Sequence, residues 1–496
     1  MDDDAPAPYR ELLDRYDRVA NLDATGELLS WDQQVTMPAG GTPARSRQLS
    51  AVSSAAHEYL VDDATGRLLD EAEAADLSDR QAAAVREIRR RYDRAASVPT
   101  SLVERVSEAA SEALPTWRDA RADDDFAAFA PALEELVELK REYAAHVDPE
   151  REPYEVLFEE YEPYLGLDTA ERILAELRDG LGPLVDAVRA SDVTLASPFD
   201  GTYPEADQEA ACRALLDHLG YDWSRGRLDA SDHPFSTGTP FDARVTTRYD
   251  ESDPLEALTS VGHEFGHAAY TLGLPQADYG TPLGQARNLT VHESQSRFWE
   301  NHVVGTEPFW EGFAPTLADE LGAEAAPRAV YEAVNRVRPD NRIRVEADEL
   351  TYHMHVVLRF EIERALIAGE MDVRDVPAAW NDKMDAYLGV RPETDAEGCL
   401  QDIHWSHGSF GYFPTYSLGS VLAAQLDASL RADLDVDRLA REGEFGALGE
   451  WLRERVHRHG RRYTTPDLVE TATGESLTAS HFLDHAERRY GALYGF

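Results

Sequence analysis

Apolar positions recur three and four residues apart over most of the chain, which predicts a mainly helical protein. "YRELLDRYDRVANLDATGELLSWDQQ" from Tyr9 shows the spacing, and "RQAAAVREIRRRYDRAASV", "LVERVSEAASEALPTWRDAR" and "FAAFAPALEELVELKREYAAHV" carry it to about residue 147. "LDTAERILAELRDGLGPLVDAVRA" opens on Asp168 and Thr169, good N-cap types, with Glu171 in capping reach. A loop-rich interval then runs from "SPFDGTYPEADQ" to "DASDHPFSTGTPFD". "ARVTTRY" at 243 to 249 is β-branched and partly alternating, a strand candidate. "LEALTSVGHEFGHAAYTLGL" returns to the helical period, and long helical patterns resume from 310 to 370. The last hundred residues mix helices with the loop-like "WSHGSFGYFPTY". The expected class is mainly α with a small β element beside residue 260. At 496 residues the chain exceeds the usual domain of roughly 100 to 200 residues. It reads as one large body of two lobes, the first helical to roughly residue 190, the second from roughly 230 to 496.

Charge narrows the partners. The formal net charge is −46, and Lys140 and Lys383 are the only lysines, arginine supplying the other cations. So negative a field repels nucleic acid and anionic membrane. The acidic, lysine-poor composition resembles that of halophile proteins, whose carboxylate surfaces suit concentrated salt. Two cysteines, Cys212 and Cys399, make no disulfide framework and suit a reducing interior. "MDDDAPAPYR" lacks the features of a signal peptide, and no run of about 18 apolar residues predicts a membrane span. A cytoplasmic protein is expected.

The chemistry gathers in "VGHEFGHAAY", residues 261 to 270. Positions i and i+4 lie about 40° apart on a helix, so His263 and His267 project together and could grip one metal ion. Glu264 falls on the flank, where it can hold a water at the metal rather than bind the metal itself. Gly262 and Gly266 are poor helix formers, and Gly266 would let another backbone or a substrate come close. A catalytic site needs a third ligand and an open position. "LTVHESQSRFWENH" offers His292, Glu293 and His302. Glu293 would complete a His, His, Glu set, with Glu264 taking the proton of the attacking water.

Five stretches together resemble the carboxypeptidase Taq family of metallocarboxypeptidases: "HEFGH" at 263 to 267, "HESQ" at 292 to 295, "DARVT" at 242 to 246, "IRVEAD" at 343 to 348 and "GCLQDIHW" at 398 to 405. "SWDQQVTMPAGG" and "EPYEVLFEEYEP" extend the likeness over nearly the whole chain.

The resemblance implies a helical peptidase body with a deep groove, N-terminal helices forming one side and the metal-bearing segments the floor. It implies His263, His267 and Glu293 as ligands of one divalent metal, zinc or cobalt, and Glu264 as general base. It points to Arg344 as the anchor for a free C-terminal carboxylate, which a guanidinium fork suits; the alternative is a structural ion pair with Glu346 or Asp348. Related helical zinc peptidases take a His and a Tyr from a similar downstream segment to stabilise the oxyanion. "QDIHWSHGSFGYFPTY" offers His404, His407, Tyr412 and Tyr416, of which His404 and Tyr416 are preferred, with Tyr412 close behind. "DARVTTRY" reads either as a strand edge that pairs with a peptide or as a brace between Asp242 and Arg244, the brace being favoured. The expected activity is release of single C-terminal residues from peptides with a free C-terminus. Broad side-chain tolerance, poor acceptance of terminal proline and a homodimer complete the implied picture. An oligopeptidase or dipeptidyl carboxypeptidase is the rival enzyme, and a non-catalytic metal-stabilised binding protein the remote one.

Overall fold

The computed structural model describes residues 5–496, which form twenty α-helices and one three-stranded sheet. None of these helices is long and apolar enough to cross a membrane. The sheet comprises β1 (Gly226–Ala230), β2 (Ser236–Thr239) and β3 (Asp242–Thr247) in the order β1-β3-β2. β1 pairs parallel to β3 with Leu228 opposite Val245, and β2 pairs antiparallel with Thr237 opposite Arg244.

The strand predicted at 243 to 249 is therefore the central strand of the sheet, and the edge beside helix Pro254–Gly273 belongs to β2. Central position explains its burial, with Val245, Thr246 and Thr247 fully enclosed. The interval expected to be loop holds a helix, Glu205–Leu219, as well as β1 and β2. That helix buries Ala211, Cys212, Leu215, Leu216 and Leu219, an i, i+4 stripe hidden in the sequence by its loop-like flanks. β1 and β2 carry little apolar alternation, and β3 supplies their hydrogen bonds. The helix expected to be capped by Asp168 or Thr169 begins at Leu167, behind Gly166 at φ 80°, with no side-chain cap. Asp168 thus sits inside the first turn, where its charge still complements the helix N-terminus.

Packing is organised around two large cores. One joins helices Thr100–Asp123, Phe126–Val147 and Leu167–Ala190 to Tyr352–Ala368, Pro414–Asp433 and Ser480–Tyr494. The second gathers helix Glu205–Leu219, the sheet and the Leu258, Val261, Phe265 face of helix Pro254–Gly273. The first four helices, between Ala7 and Ser97, keep smaller cores of their own around Leu12, Leu69 and Ile88, joined from outside by Leu283. Each fully buried Leu or Ile contributes roughly 1.5–3 kcal/mol, so these helices hold together largely on their own contacts and leave a cleft against the rest. That cleft is a groove of about 1090 Å³, walled by Trp31 and Arg91 on one side and by β2, Arg287 and His292 on the other.

Three glycines let the helices next to this groove pack closely. A Cβ on Gly266 would lie 2.4 Å from the Gln295 carbonyl oxygen, so Pro254–Gly273 packs backbone against backbone on Leu289–Arg297. A Cβ on Gly419 would lie 2.5 Å from that of Glu293, and one on Gly262 would press Val304 at 3.2 Å. The close approach anticipated at Gly266 is made by another backbone.

Candidate metal centre

Helix Pro254–Gly273 starts cleanly: Pro254 occupies the first turn and Asp253 accepts the Leu255 N–H at 3.1 Å. It carries His263 and His267 toward helix Leu289–Arg297, whose N-cap Asn288 accepts from Val291 N at 3.1 Å. Beneath that cap lies Glu162, fully enclosed, accepting from Asn288 Nδ2 and Thr290 N at 2.6 Å each. Burial pushes its carboxyl up to about 8, against the pull of those donors.

The two helices bring three donors to one point. Glu293 Oε2 lies 3.8 Å from His263 Nε2 and 3.6 Å from His267 Nε2, and ligand atoms of all three residues lie within 4.8 Å of one another. Ligands about 2.1 Å from one ion at a tetrahedral angle stand roughly 3.4 Å apart, so this donor set fits a divalent cation with little movement. The other candidates fall behind or away from this point. His292 Nδ1 sits 2.6 Å from His267 Nδ1, on the side opposite the converging Nε2 atoms. His302 faces Asp427 at 3.5 Å and stacks near His485.

Glu264 is buried on the flank of the triad, near Ser236 of β2, and its Oε2 has no hydrogen-bond partner. Burial raises its pKa to about 7; the charge of His263 opposes the rise and that of Glu293 reinforces it. A buried carboxylate oxygen without a partner next to three convergent ligands is suited to accept a proton from a small molecule placed there.

Beside Glu293 stands a wall of aromatic and cationic groups. Arg344 is buried, its Nε and Nη2 donating to Asp402 at 2.9–3.1 Å and its Nη1 to the Tyr352 hydroxyl at 3.1 Å. Its ion-pair partner is thus Asp402, not Glu346 or Asp348; Asp348 instead accepts from the backbone of Arg338, Leu350 and Thr351. The Arg344 guanidinium lies 5.6 Å from the Tyr416 ring, and Tyr416 meets Tyr412 edge-on at 5.1 Å. His404 stacks on Tyr412 at 5.7 Å, its Nδ1 unpartnered, and burial lowers its pKa to about 3. The structure therefore gathers Arg344, Tyr416, Tyr412 and His404, while His407 is turned to solvent. Asp242 and Arg244 brace each other at 2.7 Å, and Arg244 covers the Trp31 ring at 4.2 Å, tying β3 to the first helix.

Sequence reasoning missed four groups: Asp402, which holds Arg344; Tyr352, which touches it; and Arg297 and Glu300, which stand behind the triad. Asp402 lies in "GCLQDIHW", but 58 residues separate it from Arg344. Glu293, Arg297 and Glu300 share an i, i+4, i+7 face, a signal that was present.

This fold and this site define a metallopeptidase built almost wholly from helices. The sequence model of the "Carboxypeptidase Taq (M32) metallopeptidase" family matches residues 11–490. Thermostable carboxypeptidase 1 of Thermus thermophilus is 39% identical over 509 residues, covering 99% of each chain. Carboxypeptidase 1 of Bacillus subtilis is 35% identical over 98% of each. The crystal structure of the M32 carboxypeptidase from Deinococcus radiodurans, 36% identical, superposes with a TM-score of 0.95 over 99% of this chain and all of that one. The chain belongs to the carboxypeptidase Taq (M32) family: it is a metal-dependent carboxypeptidase, a peptide hydrolase.

Proposed function

We propose that the enzyme removes single residues from the free C-terminus of peptides with broad side-chain tolerance, and that the whole chain acts as one peptidase domain. His263, His267 and Glu293 would hold the metal, zinc by preference and cobalt as a substitute, since imidazole and carboxylate ligands accept both. The ion supplies Lewis acidity, polarising the scissile carbonyl and making water nucleophilic near neutral pH. Glu264 takes the proton of the attacking water and passes it to the leaving amine; a pKa near 7 suits both transfers. Arg344 anchors the terminal carboxylate through Nη1, the corner of its fork not engaged by Asp402. Tyr416, with Tyr412 and His404 beside it, donates to the oxygen on which negative charge develops. The β2 edge at Ser236–Thr239, on the groove wall, hydrogen-bonds the extended peptide backbone.

The single observation behind this reading is the unpartnered Glu264 Oε2 beside the convergent triad, with a buried arginine in the wall next to Glu293. The peptidase and its cytoplasmic, homodimeric setting belong to one reading, of which the site is the part to test. Glu264→Gln is expected to keep its metal and lose about 10²–10⁴ in kcat. Arg344→Ala is expected to keep its metal and raise KM for free-acid peptides. A Glu264→Gln enzyme with wild-type kcat, or an Arg344→Ala enzyme with unchanged KM, removes that residue from its role.

A further inference from the structure

Arg297 and Glu300 have no part in the chemistry above, yet they stand directly behind it. Arg297 lies one turn past Glu293, and Glu300 one turn further, where the helix passes into a π-helical stretch, Phe298–Val304. Such stretches are rare and frequently sit at functional sites. Arg297 Nε donates to Glu293 Oε1 at 2.8 Å, and its Nη1 donates to Glu300 Oε2 at 3.0 Å. The same Glu300 oxygen is 2.8 Å from His263 Nδ1. The Tyr352 ring lies against the guanidinium at 5.1 Å. One arginine thus joins the third candidate ligand to the carboxylate that touches the first.

We infer that Arg297 and Glu300 are positioning residues of the metal centre: Arg297 keeps Glu293 Oε1 out of coordination, so that Oε2 alone is offered to the ion, and Glu300 fixes His263 with its proton on Nδ1 and Nε2 free to bind. The inference rests on the metallopeptidase reading of the site. A carboxylate with both oxygens free can chelate the ion and fill the position that substrate and water require. The hydrogen bond from Arg297 prevents this by occupying one oxygen. Glu300 acts on His263 as carboxylates behind metal-binding histidines do, setting the ring's orientation and tautomer and raising its basicity. The two histidines are backed differently, because His267 has the ring of His292 behind it rather than a carboxylate. His263 is therefore the stronger of the two ligands, and its strength depends on Glu300.

The test uses the full-length protein loaded with Zn2+ or Co2+ in molar salt. Metal affinity is measured by chelator competition, and the cobalt form is examined by visible absorption. Glu300→Gln, nearly isosteric, is expected to weaken binding about 10–100-fold. Arg297→Gln is expected to shift the cobalt spectrum toward the weaker absorption of a higher coordination number, and Arg297→Lys to restore much of the wild-type spectrum. A purely structural pair would alter stability but neither reading. Folded Arg297→Gln and Glu300→Gln proteins with wild-type affinity and spectrum overturn the positioning role. Glu293→Ala separates this from failure of the site itself: if that variant also binds metal as wild type does, the ligand set is wrong.

Discussion

Asp402 offers the sharpest test of how the carboxylate-anchoring wall is built. It is buried between two arginines, its two oxygens sharing the Arg344 Nε–H, with a further bond from Arg344 Nη2 and a longer one from Arg359 at 3.5 Å. Arg359 is itself sandwiched, 3.8 Å from the Trp405 ring and 4.4 Å from Phe413, and pairs with Glu363. Asp402→Ala leaves Arg344 buried without a carboxylate. Breaking a buried pair from one side costs about 3–5 kcal/mol, because the remaining charge is uncompensated. An unfolding entropy of about 2.1 cal/mol/K per residue gives roughly 1 kcal/mol/K for 496 residues, so Tm should fall by about 3–5 °C in calorimetry. Burial alone would raise the Asp402 pKa, but Arg344 and then Arg359 overcome it and hold the group well below the ordinary carboxylate range. A depressed folded pKa stabilises above the unfolded value, near 4, and that contribution is lost as pH falls through the lowered folded value. The difference in Tm between wild type and variant should thus be constant from about pH 5 upward. In kinetics the variant should raise KM for free-acid peptides more than it lowers kcat, since Arg344 loses its orientation. A variant with wild-type Tm and KM would refute the reasoning.

Three further predictions follow from the same structure. Gly266→Ala forces a Cβ against the Gln295 backbone, which cannot yield as a side chain tip would; it should cost about 1–3 kcal/mol, seen as a lower Tm, and weaken metal binding in chelator competition. Glu162 titrates in the opposite sense to Asp402: its folded pKa is raised, so its stabilising contribution is complete below about pH 4.5 and lost as pH climbs through about 8. Glu162→Gln should therefore flatten the decline of Tm between about pH 4.5 and 8, and an unchanged slope there would show that the group does not drive it. At a net charge of −46, desalting should unfold the protein as its carboxylates repel, read by circular dichroism; a spectrum indifferent to salt would contradict this.

The helical class, the strand at β3 and the meeting of His263, His267 and Glu293 were legible because each rests on local spacing or on a quoted motif. The Asp242–Arg244 brace was legible for the same reason, the two residues alternating on one strand. What stayed hidden depends on partners distant in sequence. "GRLDA" and "STGT" become strands because β3 lies between them, not through any pattern of their own. Asp402 is an unremarkable aspartate until the fold sets it against Arg344, while Glu346 and Asp348 looked nearer on the chain. The start of the helix at Leu167 was misjudged because Gly166 turns the chain by its positive φ, leaving the cap-type residues inside the first turn. Arg297 and Glu300 were the hidden groups with a local signal, an i, i+4, i+7 face shared with Glu293, masked by the many charged residues of so acidic a chain.

The groove is expected to read a free C-terminus and to release one residue at a time. One peptide, prepared as free acid and as C-terminal amide, would be incubated with the metal-loaded protein in molar salt, with a chelator control, and the products read by mass spectrometry. Successive loss of single residues is expected from the free acid, with none from the amide and none with chelator. Internal cleavage of both forms, or loss of dipeptides, would contradict this expectation and leave Arg344 without the role assigned to it.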